Sequence, residues 1–276
     1  MRGRGHGRDS ASSPPTGHPV LHATPLPALE DNYIWLLTGA GGDAVVVDPG
    51  EAAPVLDAVA RGLRPVAILV THHHPDHIGG IRELRERFDL PVYAPVEPRI
   101  GLDDCIRVRE GDRVDLPALG LALQVMEVPG HTLSHVAYYG GRYLLCGDTL
   151  FSLGCGRLFE GTPAQMLASL DRLASLPPDT LVCCSHEYTE ANGRFAKAAE
   201  PDNPARDDHL AEVAVARAAG RPSLPSSIGR ERAGNPFLRL ESPGIRASLS
   251  ARLGRPPRDR LEAFATLRAW KDGFRG

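Results

Sequence analysis

The sequence predicts an α+β fold, a layered sandwich of sheets and helices, followed by a smaller helical domain. From about residue 20 to residue 187, short β-branched apolar segments alternate with amphipathic helical segments, a pattern typical of such a sandwich. After about residue 187 the strand patterns stop and only helical patterns remain. With 276 residues, 42% of them hydrophobic, the chain can bury an ordinary core in one or two domains.

Seven apolar runs of strand length predict the strands of the sandwich. The longest uninterrupted apolar runs are far shorter than the roughly 20 residues that a membrane-spanning helix needs, so no membrane segment is predicted. The predicted strands are Tyr33–Thr38, Ala44–Val47, Val66–Val70, Leu121–Val128, Val136–Tyr139, Tyr143–Cys146 and Thr180–Cys184.

Apolar residues at helical spacing predict the helices between these strands. In Pro54–Leu63 and in His77–Phe88, four apolar residues fall on one helical face. A third helix is predicted to run to Leu176, because Thr162 followed by Pro163 supplies an N-cap and a first-turn proline.

The C-terminal part reads as helical over residues 188–276, and we expect it to form a domain separate from residues 20–187. Helices are predicted around Pro204–Ala219 and Asp259–Lys271. The connection Gly220–Asn235 is rich in Pro and Gly, which predicts an irregular crossing rather than regular structure.

Charge and cysteine content narrow the class of protein. The 31 Lys and Arg stand against 34 Asp and Glu, without the basic excess of a nucleic-acid binder. The cysteines form an odd set with no CxxC spacing, so neither a disulfide framework nor a thiolate zinc site is predicted, and a reducing, cytoplasmic location is expected. Residues 1–19 are rich in Arg, Gly, Ser and Pro without the apolar segment of a signal peptide, which predicts a disordered leader.

A dense histidine cluster directly follows the third predicted strand. His72 and His74 alternate at the strand end and are expected to point to one side, whereas His73 points the other way and is not counted as a ligand. Asp76 and His77 follow and can reach a second point nearby. Imidazole and carboxylate ligands without thiolate suit borderline divalent metals such as zinc, with iron and manganese as alternatives.

Three later residues repeat this arrangement, each after the C-terminal end of a predicted strand. They are His131, Asp148 and His186. Together with the cluster they complete two sets of metal ligands with room for a shared water, since a catalytic site keeps an open position. We assign one metal to His72, His74 and His131. We assign the second metal to Asp76, His77 and His186, and we expect Asp148 to bridge the two metals.

Three other residues near these positions have competing interpretations. Asp48 follows another predicted strand. Its carboxylate could orient a metal-binding imidazole, or the residue could form an Asx turn before Pro-Gly. His135 is close enough in sequence to His131 to be a candidate ligand, but we expect it at most to support a ligand without contacting the metal. Cys155 has no neighbouring base in the sequence, so covalent catalysis is not predicted.

The histidine cluster, THHHPDH at 71–77, fits the THxHxDH signature of the metallo-β-lactamase fold, and His131, Asp148 and His186 match its later motifs. Over nearly all of its length after the leader, the chain resembles the glyoxalase II family of hydroxyacylglutathione hydrolases. The further matches are DNYIW at 31–35, PGHT at 129–132, GDTLF at 147–151, GCGRLFEGT at 154–162, SHEYT at 185–189, NPFLR at 235–239 and LRAWKD at 267–272.

The resemblance implies a four-layer αββα sandwich with a helical C-terminal domain that helps to bind glutathione. It also implies which side chains contact glutathione: Arg157, Phe159, Tyr188, Arg268 and Lys271. Arg268 and Lys271 are three residues apart on a predicted helix and so share a face, which suits a substrate carboxylate. Phe159 stands where family members can carry Tyr, so a phenolic hydrogen bond is lost and packing remains.

The reaction implied by the resemblance is hydrolysis of S-D-lactoylglutathione to D-lactate and glutathione. We expect the enzyme to be a monomer. Two metals would lower the pKa of a shared water to about 7. Asp76 would ligate a metal and accept a hydrogen bond from the nucleophile, and Asp148 would bridge. There are three alternatives on the same fold. A one-iron persulfide dioxygenase is disfavoured by the complete ligand set, and a β-lactamase is disfavoured by Asp148. An RNA-processing protein is disfavoured by the acidic charge balance.

Overall fold

The computed structural model describes residues 21–276, so the predicted leader at 1–19 lies outside the described residues. Two six-stranded sheets form the centre of the molecule. The first sheet has the spatial order β1 (His22–Ala28), β2 (Asn32–Thr38), β3 (Asp43–Val47), β4 (Arg64–Leu69), β5 (Val92–Pro95) and β6 (Ile106–Val108). The second has the order β14 (Ser226–Ser227), β13 (Leu181–Cys184), β10 (Tyr143–Gly147), β9 (Val136–Gly140), β8 (Leu121–Glu127) and β7 (Arg113–Leu116).

A two-stranded hairpin and a set of helices complete the fold. The hairpin consists of β11 (Leu150–Phe151) and β12 (Gly154–Cys155). The helices that accompany the sheets are α1 (Ala53–Ala60), α2 (Pro75–Ile78), α3 (Ile81–Arg87) and α4 (Pro163–Ala174). The C-terminal helices are α5 (Thr189–Ala199), α6 (Pro204–Ala218), α7 (Ile228–Gly234), α8 (Pro243–Leu253) and α9 (Arg260–Gly273). Among residues 21–276, no helix combines the length and the apolar character needed to cross a membrane.

The period-2 alternation of β2 shows how the layers are built. Trp35 and Leu37 face a core shared with the second sheet, whereas Ile34 and Leu36 face a second core on the other side of the strand. Helices α1 and α3 belong to that second core, and α4 with the C-terminal helices belongs to the core of the second sheet. This arrangement is the four-layer αββα sandwich that the resemblance implies.

Parallel pairing brings the functional residues to one edge of the sandwich. Strands β3 and β4 are parallel, and so are β10 and β13. The C-terminal ends of parallel neighbours lie at the same edge of a sheet. Asp48, His72, Asp148 and His186 each follow one of these four strands. A hydrogen bond of 2.9 Å from the backbone N–H of Val136 to the oxygen of Thr71 links the two sheets there.

All seven predicted strands are confirmed with ends within two residues, but several other elements differ. The prediction of one helix over His77–Phe88 is wrong, because the segment is divided between α2 and α3. Between them, the backbone N–H of Gly80 donates to Pro49 O (2.8 Å) and not to a helical carbonyl. A Cβ on Gly80 would lie 2.4 Å from the backbone of Glu51, so this close approach needs glycine.

The predicted irregular crossing Gly220–Asn235 is also wrong, since it contains β14 and α7. Ser227 caps α7 by accepting a hydrogen bond from Arg230 N, a local signal that outweighs the Pro and Gly content. The local sequence patterns do not predict the outer strand β1, which carries two prolines, or the helices α5 and α8.

Candidate active site

Three imidazoles converge on one point at this edge. His74 Nδ1 lies 3.1 Å from His72 Nε2 and 3.0 Å from His131 Nε2. The ligand atoms of these three side chains lie within 4.8 Å of one another, and His72 and His131 are buried. We call this set the first group, and it contains the three residues that the sequence assigns to one metal.

A second set converges beside the first. Asp76 Oδ2 lies 3.4 Å from His77 Nε2 and 3.5 Å from His186 Nε2. We call Asp76, His77 and His186 the second group, and their ligand atoms also lie within 4.8 Å of one another. These are the residues that the sequence assigns to the other metal.

Asp148 lies between the two groups. Its Oδ1 lies 3.5 Å from His77 Nε2, and its Oδ2 lies 3.4 Å from His131 Nε2 and 3.3 Å from His186 Nε2. The carboxylate therefore faces both groups at once. His135, which is fully buried, accepts a hydrogen bond of 3.2 Å from the Asp148 N–H at its Nε2 and fixes the start of this loop.

The outer nitrogens of His72, His77 and His131 are held by acceptors, which leaves their inner nitrogens facing the two groups. His131 Nδ1 lies 2.9 Å from Arg157 O, so it donates there. His77 Nδ1 donates to Asp48 Oδ2 (3.0 Å), and His72 Nδ1 contacts the Thr71 hydroxyl (3.0 Å), which itself donates to Asp48 Oδ2 (2.7 Å). Such outer contacts fix the tautomer and the orientation of metal-binding histidines.

Asp48, His72 and His77 also satisfy a simple distance criterion for a metal group. Asp48, however, contacts His77 at Nδ1, on the side opposite to the Nε2 that faces Asp76 and Asp148. The Asp48 carboxylate is therefore placed behind the ligands, and the turn at Gly50 uses the Asp48 backbone oxygen instead (2.9 Å).

Two further residues of the site, Asp31 and Asn32, are not among the residues predicted from the sequence. Asp31 Oδ1 lies 2.8 Å from His186 Nδ1, and Asn32 Nδ2 donates to Asp76 Oδ2 (3.0 Å). Both lie in the DNYIW match, which supported the resemblance without a role for either side chain. His73 points away from both groups, towards Glu97 and Glu160 at 3.9 and 3.6 Å.

The electrostatics of the site favour the metal-binding protonation state at His72, His74 and Asp148, whereas Asp148 outweighs burial and raises the pKa of His77 and of His186 above the usual value. Burial, with neighbouring imidazoles, holds the pKa of His72 well below its usual value and lowers that of His74 to about 4. Burial by itself would raise the pKa of the Asp148 carboxyl, but the imidazoles of His77 and His186 outweigh it, so this pKa lies below its usual value. Neutral imidazoles and an ionised carboxylate are the forms that bind metal, so a cation bound here would displace the protons of His77 and His186.

Buried polar atoms without partners show that these residues fit a cation. His77 Nε2 and Asp148 Oδ1 are buried and have no hydrogen-bond partner among residues 21–276. Buried polar groups are normally satisfied, so orphaned atoms that face each other need an explanation. Imidazole nitrogens and carboxylate oxygens form the donor set of borderline divalent metals. A divalent cation would satisfy both atoms.

A cavity of about 540 Å³ opens onto the metal groups, and its wall includes all five side chains assigned to glutathione. Tyr188 stacks on His186 with ring centroids 4.7 Å apart, and Phe159 meets His131 edge-on at 5.2 Å. Arg157 is exposed at the rim, with Nε 3.9 Å from Asp272 Oδ1. The cavity therefore has a metal-binding side and an aromatic and cationic side.

Arg268 and Lys271 of α9 line this cavity in different ways. Arg268 is buried, and its guanidinium donates to Cys155 O (2.8 Å) and to Asp272 Oδ1 (2.9 Å). Lys271 is less constrained, and burial together with neighbouring Arg268 lowers its pKa to about 8. Burial raises the pKa of the Cys155 thiol, which makes it a poor nucleophile.

Comparison with known families identifies the chain. Residues 29–186 match the model of the metallo-β-lactamase superfamily, and residues 187–274 match the model of the hydroxyacylglutathione hydrolase C-terminus. The chain therefore belongs to the metallo-β-lactamase superfamily, whose chemistry implies that the His and Asp groups bind divalent metal. Within the superfamily it belongs to the hydroxyacylglutathione hydrolases.

Individual relatives agree with this assignment. A hydroxyacylglutathione hydrolase of Xylella fastidiosa (strain M12) is 53% identical over 92% of this chain and 98% of its own. One of Xanthomonas campestris pv. campestris (strain B100) is also 53% identical, over 92% of this chain and 100% of its own.

Solved structures with the same fold are more distant in sequence. ETHE1 from Myxococcus xanthus has a TM-score of 0.60 with 27% identity, covering 91% of this chain and 99% of its own. TTHA1623, solved in a di-iron-bound form, has a TM-score of 0.53 with 30% identity, covering 80% of this chain and 99% of its own.

Proposed function

We propose that this chain hydrolyses S-(2-hydroxyacyl)glutathione, chiefly S-D-lactoylglutathione, to a 2-hydroxy acid, D-lactate, and glutathione. This reaction is the second step of methylglyoxal detoxification. The observation that carries the proposal is the single cavity that joins two metal-binding groups to a wall with Arg157, Arg268 and Lys271. The names of the relatives at 53% identity support the same substrate class.

The proposed cofactors are two divalent cations, zinc first, with iron or manganese as alternatives, because five imidazoles and two carboxylates accept all three. The first group would hold one cation and the second group the other, with Asp148 between them. The di-iron-bound form of TTHA1623 supports two positions in this fold. The chemistry that such ions supply when bound is activation of water and polarisation of a carbonyl oxygen.

The two carboxylates of the site have separate tasks in this proposal. Asp148 faces both groups and, being ionised, holds them at a fixed separation. Asp76 lines the cavity with a half-exposed side chain and can accept a hydrogen bond from the attacking water. The pKa of Asp76 lies below its usual value, because its contacts with His77 and Asn32 outweigh the effect of burial.

The glutathione part of the substrate would lie against the opposite wall. Lys271 and Arg157 offer cationic groups to its carboxylates, while Arg268 holds the backbone of Cys155 beneath them. Tyr188 and Phe159 supply aromatic surface. The departing thiolate is a good leaving group, since a free thiol has a pKa near 8.5. Residues 188–276 are then the helical glutathione-binding domain, while the cytoplasmic location and the monomeric state stay predictions.

Hydrolysis of S-D-lactoylglutathione by the purified full chain tests the proposal, with metal content measured on the same sample and nitrocefin as a control substrate. Loss of the thioester absorbance with close to two metals per chain, and no nitrocefin turnover, is the expected result. Fully metallated protein that leaves the thioester intact would overturn the proposal and direct attention to persulfide oxidation with iron.

Substitution of Lys271 should weaken substrate binding without disturbing the metal centre. We expect Lys271→Ala to raise KM for S-D-lactoylglutathione about 10-fold or more, since a hydrogen bond to a charged group contributes about 1.5 to 3 kcal/mol. Adding Arg268→Ala should raise KM further while bound metal stays unchanged. Lys197→Ala on α5, the same change at an exposed lysine, is the control. An unaltered KM in the double variant would remove the glutathione site from α9.

The pKa of Lys271 predicts a pH dependence of substrate binding. Its pKa of about 8 means that the ammonium group is charged below pH 8 and loses its charge as the pH rises through that value. Its cationic neighbours Arg268, Arg194 and Arg157 stay charged throughout, because guanidinium groups do not deprotonate in this range. We therefore expect KM to rise above pH 8 in the wild type.

The variant Lys271→Arg provides the control for this pH dependence, since arginine keeps its charge at high pH. KM measured from pH 6.5 to 9.5 should stay flatter in this variant than in the wild type. Parallel KM profiles for the two proteins would show that another group causes the rise.

A further inference from the structure

The turn between β1 and β2 supports one metal group only. We infer that Asp31 and the adjoining Asn32 are positioning residues that set the affinity of the second group for its cation, independently of the first group. This inference rests on the proposed two-cation function. These two side chains are not among the seven predicted ligands. Asp31 contacts the outer nitrogen of His186, and Asn32 contacts the carboxylate of Asp76.

Asp31 acts through His186. Its carboxylate oxygen Oδ1 lies 2.8 Å from His186 Nδ1, so the imidazole donates there and presents Nε2 to Asp76 and Asp148 at 3.5 and 3.3 Å. A carboxylate acceptor fixes the ring orientation and increases the basicity of the ligand nitrogen. His186 is buried, whereas the side chain of Asp31 is 42% exposed, so the contact is formed at the surface of the site.

Asn32 acts through Asp76. Its side-chain Nδ2 donates to Asp76 Oδ2 (3.0 Å) and lies 3.4 Å from the backbone oxygen of the same residue. The side chain of Asp76 is partly exposed, at 37%. The amide therefore holds the one carboxylate that belongs to the second group alone.

The backbone fixes this turn against the segment that carries His186. The N–H of Tyr33 donates to Ser185 O (2.7 Å), and the N–H of Glu187 donates to Asp31 O (2.9 Å). On the other side of the turn, the N–H of Leu29 donates to Glu51 Oε1 (2.7 Å). Asp31 and Asn32 are thus held in place by contacts on both sides, which allows them to orient ligands.

The first group is supported by different parts of the chain. The outer nitrogen of His131 donates to the backbone oxygen of Arg157, and that of His72 contacts the hydroxyl of Thr71. Neither contact involves the β1–β2 turn. Loss of Asp31 should therefore weaken the second cation while the first stays bound.

Zinc titration of the metal-free full chain against a competing chromophoric chelator tests this selectivity. We expect Asp31→Ala to weaken the second zinc about 10- to 100-fold, with the affinity for the first zinc unchanged, as is typical for loss of a group that orients a ligand. Asn32→Ala should act on the same zinc. Asp31→Asn, which keeps an acceptor for His186 Nδ1, should restore much of the affinity.

Glu30→Ala is the matched control, because it removes one negative charge from an exposed residue of the same turn. It should bind both zinc ions like the wild type. Equal affinity of Asp31→Ala and wild type for the second zinc, or an equal loss of both zinc ions, would overturn the inference. A wild-type chain that binds only one zinc would overturn the two-cation proposal itself. The zinc content of the wild type therefore distinguishes that failure from a failure of the inference alone.

Discussion

Asp148→Asn is expected to reduce kcat for S-D-lactoylglutathione by more than about 100-fold, since even the loss of a group that merely orients a ligand costs about 10- to 100-fold. The amide keeps the size of the side chain but loses the negative charge that faces the Nε2 atoms of His77, His131 and His186. Both groups would then lose the carboxylate that is proposed to bridge their cations. Steady-state hydrolysis and metal content on one sample measure the effect.

A control with the same chemical change separates this effect from a change in net charge. Asp57→Asn alters an exposed residue of α1, which packs on the outer face of the first sheet, and should retain wild-type activity. If Asp148→Asn hydrolyses the thioester within a few-fold of the wild-type rate, Asp148 does not bridge the metals and the proposed arrangement is wrong.

Most of the side chains of the two groups could be predicted from the sequence, because their positions follow from strand geometry. His72, Asp148 and His186 each follow a short apolar run, and the C-terminal ends of parallel strands meet at one edge. The predicted strands are correct within two residues, so Asp148 and His186, which follow parallel neighbours, could be placed at one edge of their sheet. That His72 of the first sheet meets them depends on how the two sheets pack. The assignment of these side chains to metal stays a prediction.

The supporting residues could not be predicted in the same way. Asp31 and His186 are 155 positions apart, and their contact depends on how the first sheet packs on the second. An acidic residue in a polar turn has no local pattern that distinguishes it from an ordinary surface residue. Strand β1, which precedes this turn, could not be predicted from its local pattern either. Its two prolines are compatible with a strand only at a sheet edge, and that edge position follows from the tertiary structure.

The two basic residues of α9 that line the cavity show how much helical spacing can predict about side-chain contacts. Arg268 and Lys271 share a face of α9 as predicted, yet they have different surroundings. Arg268 is bound to the backbone of Cys155, which is 113 positions away, and to Asp272, four residues further along the helix. The spacing of Arg268 and Asp272 could have predicted that ion pair, whereas the contact with Cys155 requires the tertiary structure.

Loss of the Asp48 carboxylate is expected to affect both folding and metal binding. The side chain is buried and accepts hydrogen bonds from the N–H and the hydroxyl of Thr71, both at 2.7 Å, and from His77 Nδ1 at 3.0 Å. Removing it leaves these donors without an acceptor. We expect Asp48→Gly to lower the free energy of unfolding of the metal-free chain by about 3 kcal/mol or more.

Zinc affinity should fall in the same variant by about 10- to 100-fold, because His77 loses its partner directly and His72 loses it through Thr71. Glycine is the informative replacement, since Asp48 has a φ of 51°, which glycine adopts without strain. Asp48→Ala loses the same bonds and adds about 1 to 2 kcal/mol of backbone strain. Urea unfolding of both variants separates the two costs. Wild-type stability and zinc affinity in Asp48→Gly would show that the buried carboxylate does not support the metal centre.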